Sequence, residues 1–274
     1  MNNRCNICIE EDCKGAKNCN CETCSRANEC PRFLKPTLRI TRKCTQHCIM
    51  CCFSCSPKRE EMMTFEMAEK VSQFYKNNNI SYTQIMGGEC FMNPEWENIF
   101  RLILPLVKRA RIVTNGDWAV NCLKFADVVA EYPQAHVAIS NDEWHTNYNV
   151  KLAEKACKDR GIDCKICDGD LKEDGIVPVG NGDLFFSSYS MFQCWCHKPD
   201  RKYSFLIKED GNISKCDMGL WDYAKVEDYL DGEFDSRFKE FNQIFYKQFI
   251  GNCSMCNRSY NYATAKQKEE IVQK

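Results

Sequence analysis

The sequence predicts an α/β fold. It is read as a partial (β/α)6 barrel of six parallel strands, with a cysteine-rich N-terminal extension and a small C-terminal unit. Three observations predict it. Short apolar runs alternate with segments of helical periodicity between about residues 36 and 180, the pattern of parallel βα units. The texture changes near residue 36 and again near residue 190. Cysteine is abundant, 22 of 274 residues, and is concentrated outside the periodic region and in one loop within it.

The elements follow in order. Residues 1–35 are dense in cysteine and poor in apolar periodicity, so they need something other than a hydrophobic core to hold them, and metal fits. Residues 37–41 read as the first strand. A helix over 64–77 places Phe65, Ala68, Val71, Phe74 and Tyr75 on one face, with Thr64 as N-cap. A strand over 81–86 ends at Gly87-Gly88. Asn93-Pro94 reads as an N-cap followed by proline at the first helical position, and Trp96, Ile99, Phe100 and Ile103 face inward until Pro105 bends or ends that helix. Strands are expected at 111–114, 136–140, 162–166 and 176–179, with helices over about 119–126 and 148–160. Residues 203–207 and 213–216 read as a hairpin around Glu209–Asn212, followed by a helix near 234–249. The resulting division is 1–35, 36–190 and 191–274.

Composition narrows the class. Hydrophobic residues make up 44% and aromatics 12%, so the chain is globular. Lys plus Arg (37) balances Asp plus Glu (38), which gives no argument for nucleic acid or an anionic membrane as partner. No apolar run approaches the ~18–20 residues of a membrane span. The N-terminus lacks the apolar region of a signal peptide, so a cytoplasmic location is expected. In that setting the cysteines read as metal or cluster ligands more readily than as disulfides.

One loop carries the sharpest pattern. In Cys44-Thr-Gln-His-Cys48-Ile-Met-Cys51 three thiolates can surround one face of an iron–sulfur cubane, which normally takes four ligands. Three leave one iron open to the amino and carboxylate groups of a methionine moiety. This CxxxCxxC after a first strand resembles the signature of the radical S-adenosylmethionine (SAM) superfamily. Met86-Gly87-Gly88-Glu89 after the second strand resembles the family's GGE segment. Thr114-Asn115-Gly116 after the third resembles its ribose-contacting turn, and Ser140 ends the fourth strand at another SAM-contacting position. By that resemblance Cys44, Cys48 and Cys51 hold an oxygen-sensitive [4Fe–4S] cluster, and Met50, Gly87, Gly88, Glu89, Asn115 and Ser140 contact SAM. Met50 stands where an aromatic residue is usual, and Cys90 where proline is frequent. Cys90 is expected to be a small buried residue.

Cys196-x14-Gly211-x4-Cys216 followed by Cys253-x2-Cys256 resembles the SPASM and twitch units of the same superfamily, which implies an auxiliary [4Fe–4S] cluster. A four-cysteine zinc site has the same spacing. Cys194 is an alternative ligand there. Cys5, Cys8, Cys13, Cys19, Cys21, Cys24 and Cys30 have metal-like spacing, with zinc and a further cluster both open. Cys52, Cys55, Cys164 and Cys167 have no assigned role, and Cys164-x2-Cys167 reads equally as packing thiols. His145 with Asp142 and Glu143 follows the fourth strand, as a substrate or SAM contact or as a solvated turn.

The resemblance implies a flavodoxin- or ferredoxin-type electron donor, reductive cleavage of SAM to a 5′-deoxyadenosyl radical, and hydrogen abstraction from substrate. Twitch and SPASM relatives point first to a peptide or protein substrate and second to a sugar or cofactor precursor. A non-catalytic zinc protein is the alternative from another class.

Overall fold

The computed structural model describes residues 34–49, 51–142, 144–168, 204–215, 219 and 222–238. Five βα-type strands come first. These are β1 (Lys35–Arg39), β2 (Tyr82–Met86), β3 (Arg109–Thr114), β4 (Ala135–Ser140) and β5 (Asp163–Cys167). The helices between them are α1 (Phe65–Asn77), α2 (Trp96–Ile103), α3 (Trp118–Asn121), α4 (Lys124–Ala130) and α5 (Val150–Asp159). Three more strands, β6 (Ser204–Ile207), β7 (Asn212–Ser214) and β8 (Asp222–Lys225), complete one eight-stranded sheet in the order β5-β4-β3-β2-β1-β6-β7-β8. The fold is α/β with a mostly parallel sheet that does not close into a full barrel.

Period-two alternation sorts the strand residues onto two faces. Leu38, Ile85, Ile112 and Val137 lie in one register row and are fully buried under the helices. The neighbouring row, Thr37, Gln84, Arg111, His136 and Asp163, faces the other way. That inner face is the one the helices leave uncovered. Because β1 to β5 are parallel, the segments following β1, β2, β3 and β4 gather at one edge of the sheet, where such folds carry their sites.

Local chemistry explains most element boundaries. The Thr64 hydroxyl accepts from the Met67 N–H and caps α1. Asn93 does not cap α2, which starts at Trp96. Its side-chain amide is buried and donates to the carbonyls of Ile40 and Met63 at 2.8 and 2.9 Å, while its oxygen accepts from Glu95 N–H. Asn93 is thus spent on tying β1 to the α1 entry, and the helix begins two residues later than expected, at Trp96. Pro105 lies in a 3-10 turn that ends α2. The helix expected over 119–126 is split into α3 and α4. The strand at 176–179 and the segment beyond residue 238 lie outside the described residues.

The hairpin differs most from expectation. β6 and β7 pair as anticipated, but β8 joins them and β6 runs parallel beside β1. The hairpin therefore extends the main sheet. A buried ion pair, Arg39 to Glu209 at 2.6 Å, closes this junction. Among the described residues no helix is long and apolar enough to cross a membrane.

Candidate functional site

The segment after β1 folds back on itself. Arg42 donates twice to the Phe53 carbonyl, Arg59 donates to the Ser54 carbonyl, and both arginines pair with Glu61. The loop so held carries Cys44, Cys48 and Cys51. Phe53, Cys55 and Leu206 pack around Cys44, with Cys51, Cys52 and Met86 alongside. Leu206 comes from β6, so the hairpin supplies part of the wall.

Sulfur acceptors are already provided with donors. The Cys44 sulfur accepts from the Gln46 N–H at 3.5 Å and from the Asn115 amide at 3.7 Å. The Cys51 sulfur accepts from the Cys55 N–H at 3.4 Å. Burial pushes the thiols of Cys44 and Cys48 up to about 12, with neighbouring negative charges adding to it. A hydrogen bond from the Cys55 thiol holds Cys51 down, at about 6, and that same bond together with burial raises Cys55. Cys44, Cys48 and Cys51 lie near enough to raise one another's charging cost, although among the described residues no three such side chains converge tightly enough to hold a single metal ion; cysteine is the ordinary ligand of iron–sulfur clusters. The donor set fits that group.

The segment after β2 is pressed against the cysteine loop. The N–H groups of Gly88 and Glu89 donate to the carbonyls of Thr41 and Lys43 at 2.8 and 2.9 Å. A Cβ on Gly87 would stand 2.3 Å from the Thr41 oxygen, and one on Gly88 2.0 Å from the Lys43 oxygen. The glycines therefore serve the close approach of this chain to itself. Glu89 is fully buried, and its carboxylate accepts from the Thr114 hydroxyl at 2.8 Å and the Asn115 N–H at 2.9 Å. Burial raises its pKa to about 7.

Asn115 also donates to the Thr45 hydroxyl, and Thr45 in turn donates to Asp117. Asp117 further accepts from Gln46 at 3.2 Å and Asn149 at 2.8 Å. Gln46 spans the gap to the segment after β4, donating to the Thr146 carbonyl at 3.3 Å and accepting from its N–H at 3.2 Å. Gln46 and Asp117 were not singled out by sequence. A glutamine between Cys44 and Cys48 and an aspartate directly after Asn115-Gly116 were the signals available.

The structure gathers Cys44, Cys48, Cys51, Gly87, Gly88, Glu89 and Asn115 at one edge, and Ser140 ends β4 at that same edge. His145 Nδ1 and the Asp142 carboxylate share a hydrogen bond of 2.7 Å, and the pair lies after β4 near the cysteine loop. Cys90 is fully buried in the core. Cys164 packs with the helix-facing core beside Cys157, whereas Cys167, three residues on, lies on the inner face. Opposite faces keep those two from sharing a metal ion. Met50, Glu143, Cys194, the set Cys196, Cys216, Cys253 and Cys256, and the seven cysteines from Cys5 to Cys30 lie outside the described residues.

The site is thus a three-cysteine loop after the first strand of a parallel α/β sheet, braced by Gly87-Gly88-Glu89 and Thr114-Asn115-Gly116 after the next two. Residues 38–164 match the model of the radical SAM superfamily. The chain is 29% identical over 94 residues to the antilisterial bacteriocin subtilosin biosynthesis protein AlbA of Bacillus subtilis (strain 168). That match spans 34% of this chain and 21% of AlbA. The fold is similar to BtrN in complex with AdoMet and 2-DOIA, with TM-score 0.56, 12% identity and coverage of 77% of this chain and 86% of BtrN. It is also similar to native anSMEcpe with bound AdoMet, with TM-score 0.51, 14% identity and coverage of 76% of this chain and 82% of that one.

Proposed function

We propose that this chain is a radical SAM enzyme that modifies a peptide or protein. The observation that carries it is the convergence of Cys44, Asn115 and Glu89, which joins the cysteine loop to the segments after β2 and β3 in one buried hydrogen-bonded unit. When bound, the cluster with SAM supplies a 5′-deoxyadenosyl radical for hydrogen abstraction. Cys44, Cys48 and Cys51 hold the cluster. The N–H and amide donors on the sulfurs of Cys44 and Cys51 orient those ligands and tune them. Gly87, Gly88, Asn115 and Ser140 line the place for SAM, and Met50 belongs with them. Phe53, Leu206 and Met86 keep water from the site.

The peptide reading is supported by the similarity to AlbA, a bacteriocin biosynthesis protein. Cys196, Cys216, Cys253 and Cys256 are assigned to an auxiliary cluster. Cys5, Cys8, Cys13, Cys19, Cys21, Cys24 and Cys30 are assigned to a further metal, zinc or iron–sulfur. A flavodoxin or ferredoxin is the proposed electron donor.

Anaerobic reconstitution tests this. The loaded protein with dithionite and SAM is expected to release 5′-deoxyadenosine, and Ala at Cys44, Cys48 and Cys51 together to abolish the release. Ala at the four auxiliary positions is expected to lower the iron content by about four atoms per chain. Co-expression with a short peptide encoded beside the gene is expected to change that peptide's mass. Failure to load iron, or no 5′-deoxyadenosine, would sink the reading.

A further inference from the structure

Guanidinium groups in this fold are held by carboxylates. Arg39 has Glu209, Arg42 has Glu61, Arg101 has Glu131 and Arg160 has Asp127. Arg111, on the inner face of β3, has no carboxylate partner among the described residues. Its Nη1 lies 3.5 Å from the Gln84 side-chain oxygen on β2, and its Nη2 lies 3.8 Å from the Cys167 sulfur on β5. Its Nε is buried and meets no acceptor among the described residues. Arg111 is half-buried, and a charge partly withdrawn from water without a counter-charge carries a cost that an anion at this place would relieve.

The rest of the face agrees. Alternation puts Arg111, His136 and Lys165 on the inner side of β3, β4 and β5, and no inner-face position of β1 to β4 is acidic. The acid on that side of β5, Asp163, is approached by His136 at 3.1 Å. Lys165 is exposed, in the row of Val113 and Ala138 next to the Arg111 row, and it precedes by two residues, on the same face, the Cys167 that the Arg111 guanidinium reaches. Reaching from β2 to β5, the guanidinium spans the hollow of the sheet. It sits three residues before Thr114 on the same strand, roughly 10 Å of backbone from the cysteine edge.

We propose that this inner face binds a carboxylate carried by the substrate, with Arg111 as its principal ligand and Lys165 as a second cation. This rests on the reading of the adjoining edge as a radical SAM site. The planar fork of arginine matches the two oxygens of a carboxylate. Its present contacts are longer than charge-assisted bonds, and the Gln84 amide can turn its N–H toward the same anion. A substrate so anchored is held under the cysteine loop.

The test is calorimetric titration of the full chain with glutarate and with glutaramide, its uncharged analogue. Glutarate is expected to bind and glutaramide not. R111Q is expected to weaken glutarate at least tenfold, and R111K less, since lysine keeps the charge but not the fork. Equal binding of the two compounds, no binding of glutarate, or equal affinities in wild type and R111Q would overturn the proposal. Should R111Q not fold, the wild-type pair of compounds and R111K decide. A glutamyl tripeptide blocked at both ends tells the source: tighter binding than glutarate assigns the site to a peptide side chain, and weaker binding to a small acid. SAM affinity is measured in parallel on the loaded protein, and its loss in R111Q would give the arginine to the methionyl carboxylate and overturn the proposal. The glutarate titration needs no SAM cleavage, so absence of 5′-deoxyadenosine would fail the enzymatic reading separately.

Discussion

The backbone N–H of Asn115 donates to the buried carboxylate of Glu89 at 2.9 Å, across 26 positions of sequence. This bond fastens the segment after β3 to the segment after β2. It fixes the edge of the sheet on which the cysteine loop rests, and it partly offsets the burial that raises the Glu89 pKa.

Burial raises Glu89 to about 7 from its ordinary 4.5. The folded protein therefore holds this proton more tightly than the unfolded chain. Its contribution is most favourable below pH 4.5, declines as pH rises from there to about 7, and is then constant. The loss is roughly 3 kcal/mol at most. Chemical denaturation of the cluster-free protein across that window should show the decline, and Glu89→Gln should flatten it.

Gly88→Ala puts a Cβ 2.0 Å from the Lys43 carbonyl oxygen, and backbone on both sides leaves little to give. A loss of about 2 kcal/mol or more is expected, together with poor iron loading, because the displaced segment is the one carrying Cys44. Urea melts and iron counts check both.

Gln46→Ala removes the tie between the cysteine loop and Thr146, and one donor to Asp117. The expected cost is ~1–2 kcal/mol. Faster amide exchange at Thr146 with unchanged exchange in α1 would mark the effect as local.

Glu209→Ala leaves Arg39 buried without its counter-charge, an expected cost of ~3–5 kcal/mol. Replacing both residues by leucine should recover much of it. A double-mutant cycle measured by denaturation separates the two outcomes.

Cys164→Ser should leave the iron content of the reconstituted protein where it was, since Cys164 faces the helices beside Cys157. A fall in iron would contradict that placement.

The strands were legible because their signal is local. Ile85 and Ile112 alternate with half-exposed neighbours, and β1 to β5 begin and end within about two residues of expectation. Thr64 was legible as a cap for the same reason. The start of α2 was not, because Asn93 has the composition of a cap but is claimed by two carbonyls 53 and 30 positions away. The cysteine loop, Gly87-Gly88-Glu89 and Thr114-Asn115 were legible as motifs, yet the support from Gln46 depends on partners 71 and 100 positions distant. The separation of Cys164 from Cys167 follows from strand pleating, and spacing alone concealed it. The pairing of β6 with β1 has no local signature at all.

That pairing has a consequence for how the chain is made. Residue 37 meets residue 206, so one edge of β1 stays bare until the segment bearing β6 has left the ribosome. A parallel ladder closed over so long a span forms late and slowly, and meanwhile Leu38 and Ile40 border an unpaired strand edge, the kind that invites another chain. The nascent protein passes through a stage in which its cysteine loop is present while the strand bearing Leu206 is not. If the loop takes up the cluster of the proposed function, that insertion and completion of the sheet compete in time, and assembly of a competent molecule depends on their order.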